Sequence, residues 1–579
     1  MVILPFGQQA LLVEGDSLDA VLALHRRLVA SVPRGIIDVV PAARTVLVTF
    51  DPQKIAAARV RAWIEQASAA GVARSSRAAR PEGGERDPAA LATVELDIVY
   101  DGPDLRAVAE LLGVSPEALV AAHQAADWSV AFTGFAPGFG YLVSADWGFD
   151  VPRRDSPRTQ VPAGAVGLAG PFSGAYPRET PGGWQLIGTT AAPLFDPHAE
   201  QPALLTPGTR VRFRPPSSSL SPLALDSQEL SPADAAQSPS TRPQLARRGA
   251  LDAPPLSSPP SEVKTTLRRS EGTPPRPEHV ATHSEHRTPH IFEPALHIVE
   301  PGLLATIQDL GRPGHASIGV ARSGAVDRTA LRTANRLLGN PESAAAIEVT
   351  MGGFRAVATH DVWFAVTGAW GEIHVAGQRV DPYQAHPWRA GSELRLGALA
   401  HGARAYLAVR GGIDAPRVLG SRATDMLSGL GPARLSAGDV VAVAGEQIAE
   451  MPALAYSPWG PPADDALDIE VAPGPRADWF DSDAALFTAG WSVSHEADRV
   501  GIRLDGPELE RSRPGELPSE GMVSGAIQVP PSGRPVILGP DGPVTGGYPV
   551  IAVVTAHSLD ALAQARPGTR IRFRHARPA

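Results

Sequence analysis

The chain has 579 residues, a formal net charge of -9 at pH 7 and no cysteine. This length predicts about three to five domains. The negative charge argues against a nucleic-acid partner, and the missing thiols exclude disulfides, cysteine nucleophiles and thiolate metal sites. The sequence has neither a secretory leader pattern nor a run of about 18 apolar residues. We therefore expect a soluble, cytoplasmic protein that does not bind a membrane.

Lysine is almost absent, since Lys54 and Lys264 are the only two. Lys54 begins a helical pattern and Lys264 lies in a Pro/Ser-rich segment. The chain therefore lacks a lysine-containing phosphate loop, a kinase-type strand lysine and an attachment lysine for biotin. If ATP is bound, arginines, backbone amides or a partner protein must hold its phosphates.

Strand and helix patterns alternate at the start of the chain. They predict a small α/β domain over residues 1–72, followed by a connector at residues 73–91, where small, charged, Gly and Pro residues collect. The predicted elements are a strand from Ala10 to Glu14, a helix from Leu18 to Ser31, strands near Ile36 and Thr45, and a helix after Lys54.

Residues 216–290 contain no aromatic residue, while Pro and Ser recur throughout. Such a segment cannot bury enough apolar surface to offset the entropy of ordering it, so we predict that it is disordered. A coil of this length spans on the order of 50 Å r.m.s.. It would tether two partners that otherwise form separate chains, and we expect the two halves to associate.

Two later stretches repeat each other, because four landmarks recur in the same order with nearly the same spacing. Both copies are rich in Gly, Pro and short β-branched runs, which predicts closed or sandwiched β-sheets at residues 93–215 and 466–579. Residues 293–460 form the first domain of the second half. The landmarks are Trp128-Ser129-Val130, Gly164-Ala165-Val166, Gly182-Gly183-Trp184 and Pro207–Arg214, matched by Trp491-Ser492-Val493, Gly525-Ala526-Ile527, Gly546-Gly547-Tyr548 and Pro567–Arg574.

Closely spaced motifs mark the first half. They are His123, Phe132–Leu142, Pro152-Arg153, Pro157-Arg158, Val161–Gly164, Tyr176-Pro177 and Pro181–Trp184. On these motifs, residues 1–215 resemble the allophanate hydrolase subunit 1 family, which includes the B subunit of 5-oxoprolinase.

A second set of motifs marks residues 294–576. They are Gln308–Arg312, Ser323–Asp327, Ala334-Asn335, Gly339-Asn340, Glu348, Gly420–Thr424, Asp498–Gly501, Gly525–Gln528 and Thr545–Pro549. This part resembles the allophanate hydrolase subunit 2 family, which includes the C subunit of 5-oxoprolinase and is related to the carboxyltransferase part of urea carboxylase. The resemblance implies cyclophilin-like barrels. The expected fold is therefore mixed α+β and mostly β, with two halves joined by a disordered linker.

The two resemblances imply a component of ATP-dependent 5-oxoprolinase, which converts 5-oxo-L-proline, ATP and water to L-glutamate, ADP and phosphate with a separate A subunit. Magnesium would arrive with ATP, since no metal-ligand spacing or covalent cofactor site is present. Two alternatives stay open: a carboxyltransferase component of a biotin-dependent urea or amide carboxylase, and a regulatory binding protein of a histidine kinase. Fold alone does not separate these functions.

Opening a lactam by phosphorylation requires cations for anionic groups and an acid/base group for water. Arg153 and Arg158 lie five residues apart in a proline-rich loop and are the leading anion-binding candidates, with surface ion pairs as the alternative. His123, on a helix that Ser115 caps, is a candidate general base, although a lone helical histidine is more often structural.

The second half adds charges of both signs, and Asp498 and Arg499 are candidate catalytic residues. Structural Asp–Arg pairing is the alternative for them. Close approach of the backbone to a ligand is one reason for glycine clusters, and tight turns are another. The remaining candidates for binding substrate or nucleotide are Gly182, Gly183, Gln308, Asp309, Arg312, Asp327, Arg503, Gln528, Thr545, Gly546, Gly547 and Tyr548.

The second half departs from its family at one motif. Where the family has Asp-x-Gln-Thr-Thr-Gly-Gly-Tyr-Pro, this chain has Pro543 and Val544 in place of the amide and the first hydroxyl. If those groups bind substrate in the family, this chain accepts a different substrate or binds it more weakly.

Overall fold

The computed structural model describes residues 1–75, 93–216, 294–446, 448–452, 460–463, 465–482, 484–513, 515 and 517–577. The predicted disordered segment at 216–290 lies outside the described residues except for residue 216. The same holds for the predicted connector beyond Ser75, where the last helix of the first domain ends. Strands far outnumber helices, which confirms the mostly β class with barrel-like sheets.

The first domain, which we call the α/β domain, is a four-stranded antiparallel sheet in the order β1-β2-β4-β3. Two helices cover one of its faces, and Ser17 caps the first helix by accepting a hydrogen bond from the amide of Ala20. The elements are β1 Val2–Pro5, β2 Ala10–Glu14, α1 Leu18–Val29, β3 Ile36–Pro41, β4 Thr45–Phe50 and α2 Ala57–Ser75. The sequence predicted all of them except β1.

The next domain, the first barrel, contains a seven-stranded sheet. Its elements are β5 Thr93–Asp97, α3 Leu105–Leu111, α4 Pro116–Ala125, β6 Trp128–Thr133, β7 Gly140–Val143, β8 Arg158–Val161, β9 Ala165–Ala169, β10 Phe172–Ala175, β11 Thr180–Gly182, β12 Gln185–Thr189 and β13 Arg210–Arg214. The strand order is β12-β9-β10-β7-β6-β13-β5. A single antiparallel bridge between Val99 and Thr189 joins the two edges.

The third domain, which we call the sheet domain, is built on one ten-stranded sheet. Its elements are β14 Pro294–Pro301, β15 Leu304–Gln308, a 3-10 helix Ala316–Ile318, α5 Arg328–Leu337, β16 Ala346–Thr350, β17 Gly352–Ala358, β18 Val362–Val375, β19 Gln378–Val380, β20 His386–Trp388, β21 Glu393–Val409, β22 Ile413–Asp414 and β23 Val440–Val443. Asp327 caps α5, and the apolar face of this helix packs on β18 and β21.

The second barrel is closed, in the order β24-β31-β28-β29-β26-β25-β32. Its elements are β24 Ala466–Pro473, a 3-10 helix Ala477–Trp479, α6 Ala484–Thr488, β25 Trp491–Val493, β26 Gly501–Asp505, β27 Glu520–Gly521, β28 Ala526–Gln528, β29 Val536–Leu538, β30 Thr545–Gly546, β31 Val550–Val554, α7 Ala556–Leu562 and β32 Arg570–His575.

The two barrels share one topology. Going round each sheet, β5, β13, β6, β7, β10, β9 and β12 match β24, β32, β25, β26, β29, β28 and β31, and the β5–β13 and β24–β32 pairs are both parallel. Trp128 and Trp491 are both buried, and each indole donates a hydrogen bond to the carbonyl five residues earlier, at 2.9 Å. The sequence repeat therefore corresponds to a repeated structural unit with a tryptophan anchor.

Each half packs against the other. The α/β domain lays the free face of its sheet on the second barrel, where Leu12 and Leu47 meet Met522 and Val553 in one apolar cluster. The first barrel contacts the sheet domain, because Gly138 donates its amide to the carbonyl of Ile318 at 2.9 Å. All described residues fall within one compact unit. Among them, no helix is long and apolar enough to cross a bilayer.

Candidate functional site

A cavity of about 300 Å³ lies where the α/β domain, the sheet domain and the second barrel meet. We call it the junction cavity. Apolar side chains such as Phe6, Leu47, Val320, Ile537 and Leu559 form much of its wall. Four arginines outnumber two aspartates in the lining, so the cavity carries excess positive charge. These charged residues are Arg312, Arg322, Arg328, Arg332, Asp38 and Asp560.

Three of these arginines, Arg322, Arg328 and Arg332, form what we call the arginine cluster. Arg328 and Arg332 are four residues apart on α5, so both side chains leave the same face of the helix. Burial, followed by the charges of Arg322 and Arg332, lowers the pKa of Arg328 to about 10. Burial and the charge of Arg332 also lower the pKa of Arg322. The cluster therefore holds like charges close together in a partly desolvated place.

The two aspartates of the cavity are occupied by other donors. Asp38 accepts the amides of Gly314 at 3.3 Å and Ala316 at 3.0 Å, which ties the α/β domain to the sheet domain. Asp560 accepts the amide of Arg328 at 3.0 Å and the hydroxyl of Thr329 at 2.5 Å. Neither carboxylate forms an ion pair with a guanidinium group of the arginine cluster.

The arginine cluster was not among the sequence candidates. A signal was present, because Arg328, Arg332 and Arg336 recur every fourth residue on one helix with no acidic residue three or four positions away. The sequence did not reveal that Arg322 lies close to Arg328 and Arg332, because this depends on the turn at Ser323–Asp327 that precedes the helix.

The family departure at Pro543 and Val544 also falls in the junction cavity, since both residues line it. The chain therefore has apolar groups in this wall, at the two positions where the resemblance led us to expect an amide and a hydroxyl. The next residue, Thr545, leaves the cavity and accepts the amide of Phe135 at 3.2 Å. The junction cavity and the contact between the two barrels are thus adjacent along the same segment.

Arg499 lies in a buried polar network rather than at an open site. It is 3% exposed and donates to Asp541 at 2.8 and 3.0 Å, to Glu348 at 2.6 Å and to the carbonyl of Gly324 at 2.7 Å. Burial disfavours its charge, but the attraction of Glu348 and Asp541 outweighs this and raises its pKa. Arg499 therefore joins the second barrel to the sheet domain, in the structural pairing that the sequence left open.

Asp498 and Arg503 are not part of this network. Asp498 is exposed and accepts the amides of Val500 and Gly501 at 2.8 and 2.9 Å, as expected for an aspartate that shapes a turn. Arg503 is half exposed and lies 3.7 Å from a carboxylate oxygen of Glu496 on the surface. The structure thus places Asp498 and Arg503 outside the buried network of Arg499.

The motif at Gln308–Arg312 is also buried. Gln308 donates to the Thr306 hydroxyl and the Thr424 carbonyl, at 3.0 and 2.9 Å. Asp309 accepts hydrogen bonds from Ser421 and from the amides of Gly311 and Arg422. These bonds hold the loops of the sheet domain together and favour a structural role for Gln308 and Asp309.

Arg312 is buried but reaches the wall of the junction cavity. It donates to the carbonyls of Ala423 and Val418, and its Nη1 lies 3.9 Å from a carboxylate oxygen of Asp425. Burial lowers the pKa of Arg312. Its position makes it a support for the cavity wall.

Asp327 is also buried. Its two carboxylate oxygens accept the amide of Ala330 at 2.8 Å and the side-chain amide of Gln564 at 2.7 Å. Burial, with the nearby charge of Asp560, raises its pKa to about 7. Asp327 therefore caps α5 and links the sheet domain to the second barrel.

Arg153 and Arg158 have different surroundings, although the sequence treated them as a pair. Arg158 forms an ion pair with Asp104 at 2.7 Å, and Arg154 reaches the same carboxylate at 3.2 Å. Arg153 is exposed and forms no ion pair or hydrogen bond with any other described residue. Its charge lies close enough to Tyr141 to oppose the burial that raises the pKa of this phenol to about 12. Among the described residues, Arg153 is therefore the arginine of this loop that has no ion-pair partner.

The first barrel meets the second barrel through Phe135, which is 39% exposed and adopts a left-handed backbone with φ 64°. Its ring packs edge-on against Tyr176, with centroids 6.1 Å apart. A Cβ on Gly182 would lie 2.6 Å from the Tyr176 hydroxyl, so this position requires glycine. The charge of Arg153 also opposes the burial that raises the pKa of Tyr176. We call this neighbourhood the barrel contact.

The second barrel contributes several sequence candidates to the same neighbourhood. Thr545 binds Phe135, and Gly546 follows it against Gln528, whose side-chain amide would lie 2.7 Å from an added Cβ. Tyr548 is 39% exposed. Gly547 packs beside the carbonyl of Leu517, whereas Gly183 in the first barrel has room for a side chain. Close packing therefore explains Gly546 and Gly547 but not Gly183.

His123 lies in the interior of the first barrel. It is 0% exposed, and its Nδ1 and Nε2 lie 2.8 Å from the hydroxyls of Tyr100 and Ser173. Burial lowers its pKa to about 3. Because both ring nitrogens are occupied inside the core, this position favours a packing role, and the role of His123 as a general base stays a prediction. Ser115 caps its helix as predicted.

Within the described ranges, no three His, Asp or Glu side chains are grouped so that they would hold a metal ion.

Two family models match the chain. "Carboxyltransferase domain, subdomain C and D" matches residues 1–205, and "Carboxyltransferase domain, subdomain A and B" matches residues 318–575. A crystal structure of TTHA0988 is similar over 98% of this chain and 100% of that chain, with 32% identity and a TM-score of 0.74.

Three curated relatives illustrate the family. The C subunit of 5-oxoprolinase from Escherichia coli (strain K12) is 38% identical over 279 residues, which are 47% of this chain and 88% of the relative. The B subunit of 5-oxoprolinase from Escherichia coli O157:H7 is 50% identical over 125 residues, 21% of this chain and 57% of the relative. Urea amidolyase of Lachancea kluyveri is 34% identical over 299 residues, 47% of this chain and only 16% of the relative.

The chain belongs to the family of carboxyltransferase-domain proteins that includes the B and C subunits of 5-oxoprolinase. Its first half is similar to the B subunit and its second half to the C subunit, so it corresponds to both in one polypeptide. This confirms the resemblance that the motifs predicted. By their names, two of these three relatives are subunits of 5-oxoprolinase.

Proposed function

We propose that this chain is the B–C component of an ATP-dependent 5-oxoprolinase that works with a separate A-type subunit. The observation that carries the proposal is the match to both 5-oxoprolinase subunits, with the Escherichia coli C subunit covered over 88% of its length. The reaction would convert 5-oxo-L-proline, ATP and water to L-glutamate, ADP and phosphate. The packing of both halves into one unit supports a joint role.

The chemistry sets the requirements for such a component. The lactam is stabilised by resonance, and transfer of a phosphoryl group from ATP to its carbonyl oxygen makes that carbon open to attack by water. The reaction then needs donors for the charge that develops on oxygen and a cation for each anionic group. Arginine suits carboxylates and phosphates because its planar fork donates two parallel hydrogen bonds.

Arg153 is our candidate for the phosphate-binding cation at the barrel contact. It is exposed and unpaired among the described residues, while Arg154 and Arg158 beside it both form ion pairs with Asp104. An exposed guanidinium group without an ion-pair partner is free to bind an external anion through its planar fork. His123, Asp498, Arg499 and Arg503 are left out of this reaction site because of their surroundings.

The test is turnover by the full chain mixed with a purified A-type subunit, ATP, magnesium and 5-oxoproline. We expect glutamate to form only when all components are present. The absence of 5-oxoproline-dependent ADP release, with a folded chain and an A-type subunit that binds it, would overturn the proposal.

A second candidate is the carboxyltransferase component of a biotin-dependent urea or amide carboxylase. The name of the family models and the urea amidolyase match favour it. It requires a biotinylated carrier on another chain, since this chain has only Lys54 and Lys264. Saturable binding of a biotinylated carrier domain, with urea-dependent transfer of its carboxyl group, would support this candidate against the first. Tight binding to a histidine kinase without turnover would favour the regulatory alternative.

A further inference from the structure

We propose that the arginine cluster of Arg322, Arg328 and Arg332 binds the carboxylate of a small organic acid inside the junction cavity. The inference rests on the proposed function only for the choice of 5-oxoproline as the probe. The binding itself needs neither ATP nor a partner subunit.

Excess positive charge is the first argument. Arg322 donates its Nε to the carbonyl of Leu310 at 3.4 Å, and Arg332 lies 3.6 Å from Glu342. The guanidinium group of Arg328 forms no hydrogen bond or ion pair with any described residue, and its Nε is buried without a partner. Like charges held together without enough ion-pairing partners are unfavourable, so an anion from outside would stabilise them.

The carboxylates of the cavity are held away from direct ion pairs with the arginine cluster. Asp38 attracts Arg322 and Asp560 attracts Arg328, but these attractions do not offset the loss of solvation. Backbone amides of the sheet domain hold Asp38, and the first residues of α5 hold Asp560. Moving either carboxylate towards the cluster would break those bonds and leave donors unsatisfied. A ligand anion has no such competing bonds.

The walls restrict the rest of the ligand. Phe6, Leu47, Val544 and Leu559 present apolar surface, and the volume of about 300 Å³ lies at the lower end of the range for ligand pockets. The pocket therefore suits a compact, largely apolar body that carries one carboxylate. A nucleotide is larger and more polar than this space favours.

The position of the cavity links the bound acid to the barrel contact. Val544 lines the cavity, and the adjacent Thr545 accepts the amide of Phe135 in the first barrel. A ligand beside Val544 would therefore lie next to the segment that joins the two barrels.

The test is calorimetric titration of the full chain with three probes: 5-oxoproline, 2-pyrrolidinone, which is the same ring without the carboxylate, and inorganic phosphate. We expect 5-oxoproline to bind and 2-pyrrolidinone to fail. Arg328→Gln should weaken 5-oxoproline binding at least about tenfold, because a charge-assisted contact is lost. The matched control is Arg336→Gln, on the same helix but paired with Glu342 at 3.0 Å on the surface, which should bind like wild type.

Thermal unfolding separates ligand binding from a structural role. Without ligand, Arg328→Gln should melt at the same temperature as wild type or higher, because the substitution removes repulsion. With 5-oxoproline, the melting temperature should rise for wild type and for Arg336→Gln but not for Arg328→Gln. A lower melting temperature for unliganded Arg328→Gln, with unchanged binding, would assign the cluster to the scaffold and overturn the proposal.

Three further results of the titration would also overturn the proposal. Absence of 5-oxoproline binding, equal binding of 2-pyrrolidinone, or tighter binding of phosphate than of 5-oxoproline would each overturn a carboxylate site. These experiments distinguish failure of the proposed carboxylate site from failure of the proposed function. Equal binding of 5-oxoproline by Arg328→Gln and wild type would refute the arginine cluster as the binding site and leave the proposed function standing. Arg328-dependent binding without turnover would refute the proposed function and leave the binding site standing.

Discussion

The two barrels have the same strand order but place different side chains at one equivalent core position. The carbonyl that accepts the tryptophan indole belongs to His123 in the first barrel and to Leu486 in the second. Both residues are 0% exposed. An aliphatic side chain therefore fills in one barrel the place that an imidazole fills in the other, which indicates that this position serves packing.

The surroundings change together with the core residue. Following the paired strands from one barrel to the other, the positions of Tyr100 and Ser173 correspond to Pro473 and Pro535. His123 in the first barrel thus has two hydroxyl partners, whereas the residues at the corresponding positions around Leu486 in the second barrel offer no hydroxyl. A buried polar group requires hydrogen-bond partners, so the three positions form one interdependent set.

The loop after the tryptophan strand reaches the sheet domain in both barrels, but by different contacts. In the first barrel, Gly138 uses its backbone amide to bind Ile318. In the second, Arg499 inserts a side chain between Glu348 and Asp541. One topology therefore supports a backbone contact at one interface and a buried ion-pair network at the other.

The largest effect is expected where a barrel depends on its buried charge. Arg499→Ala leaves Glu348 and Asp541 uncompensated, and we expect it to lower the free energy of unfolding by about 3 to 5 kcal/mol. The matched control, Arg503→Ala, removes a half-exposed arginine of the same barrel and should cost less than about 0.5 kcal/mol. Urea unfolding measures both. Equal stability of the two variants would refute the structural role of Arg499.

The next effect comes from the histidine that distinguishes the barrels. In the folded chain the pKa of His123 is lowered to about 3, against an ordinary value of 6.5. As the pH falls below 6.5, His123 becomes protonated in the unfolded chain but stays neutral in the folded chain. The free energy of unfolding therefore decreases as the pH falls through this range. Between pH 8 and pH 5 the loss is about 2 kcal/mol.

His123→Leu copies the second barrel and tests this directly. The variant loses two hydrogen bonds, so it should be less stable than wild type at pH 8. Since leucine does not titrate, we expect that difference to narrow by about 2 kcal/mol at pH 5. Turnover should persist in folded His123→Leu. A difference that stays constant with pH, or selective loss of turnover in a stable variant, would contradict a packing role.

The smallest effect on stability is expected for the free arginine of the first barrel. Arg153→Ala removes an exposed side chain that has no partner among the described residues, so its unfolding free energy should change by less than about 0.5 kcal/mol. Turnover with an A-type subunit should nevertheless fall by about two to three orders of magnitude, as expected for a lost charge-stabilising donor. The control is Arg212→Ala, a surface arginine paired with Asp127. Equal kcat/KM in both variants would remove Arg153 from the site.

The repeat made much of the fold predictable from the sequence. Trp128 and Trp491 are anchors because a large indole must be buried and its N–H satisfied, and the landmarks around them fix the strands that pack on them. The first strand, Val2–Pro5, was missed because its four residues are only half buried and give no clear alternation.

The candidate site was harder to predict, because its chemistry depends on distant partners. Arg153 and Arg158 have similar sequence surroundings, and the difference between them arises from Asp104, about fifty positions earlier. Arg499 was a candidate catalytic residue with structural pairing as the alternative, and Glu348 and Asp541 make it part of the core. The arginine cluster was overlooked because its three arginines line a cavity only when the α/β domain and the second barrel pack against the sheet domain.

The most direct test of the account measures glutamate and ADP together, in the full chain mixed with an A-type subunit, ATP and magnesium. With 5-oxoproline we predict equal amounts of glutamate and ADP, and with urea neither product above background. ADP formed without glutamate, or ADP release that depends on urea rather than 5-oxoproline, would contradict the central claim.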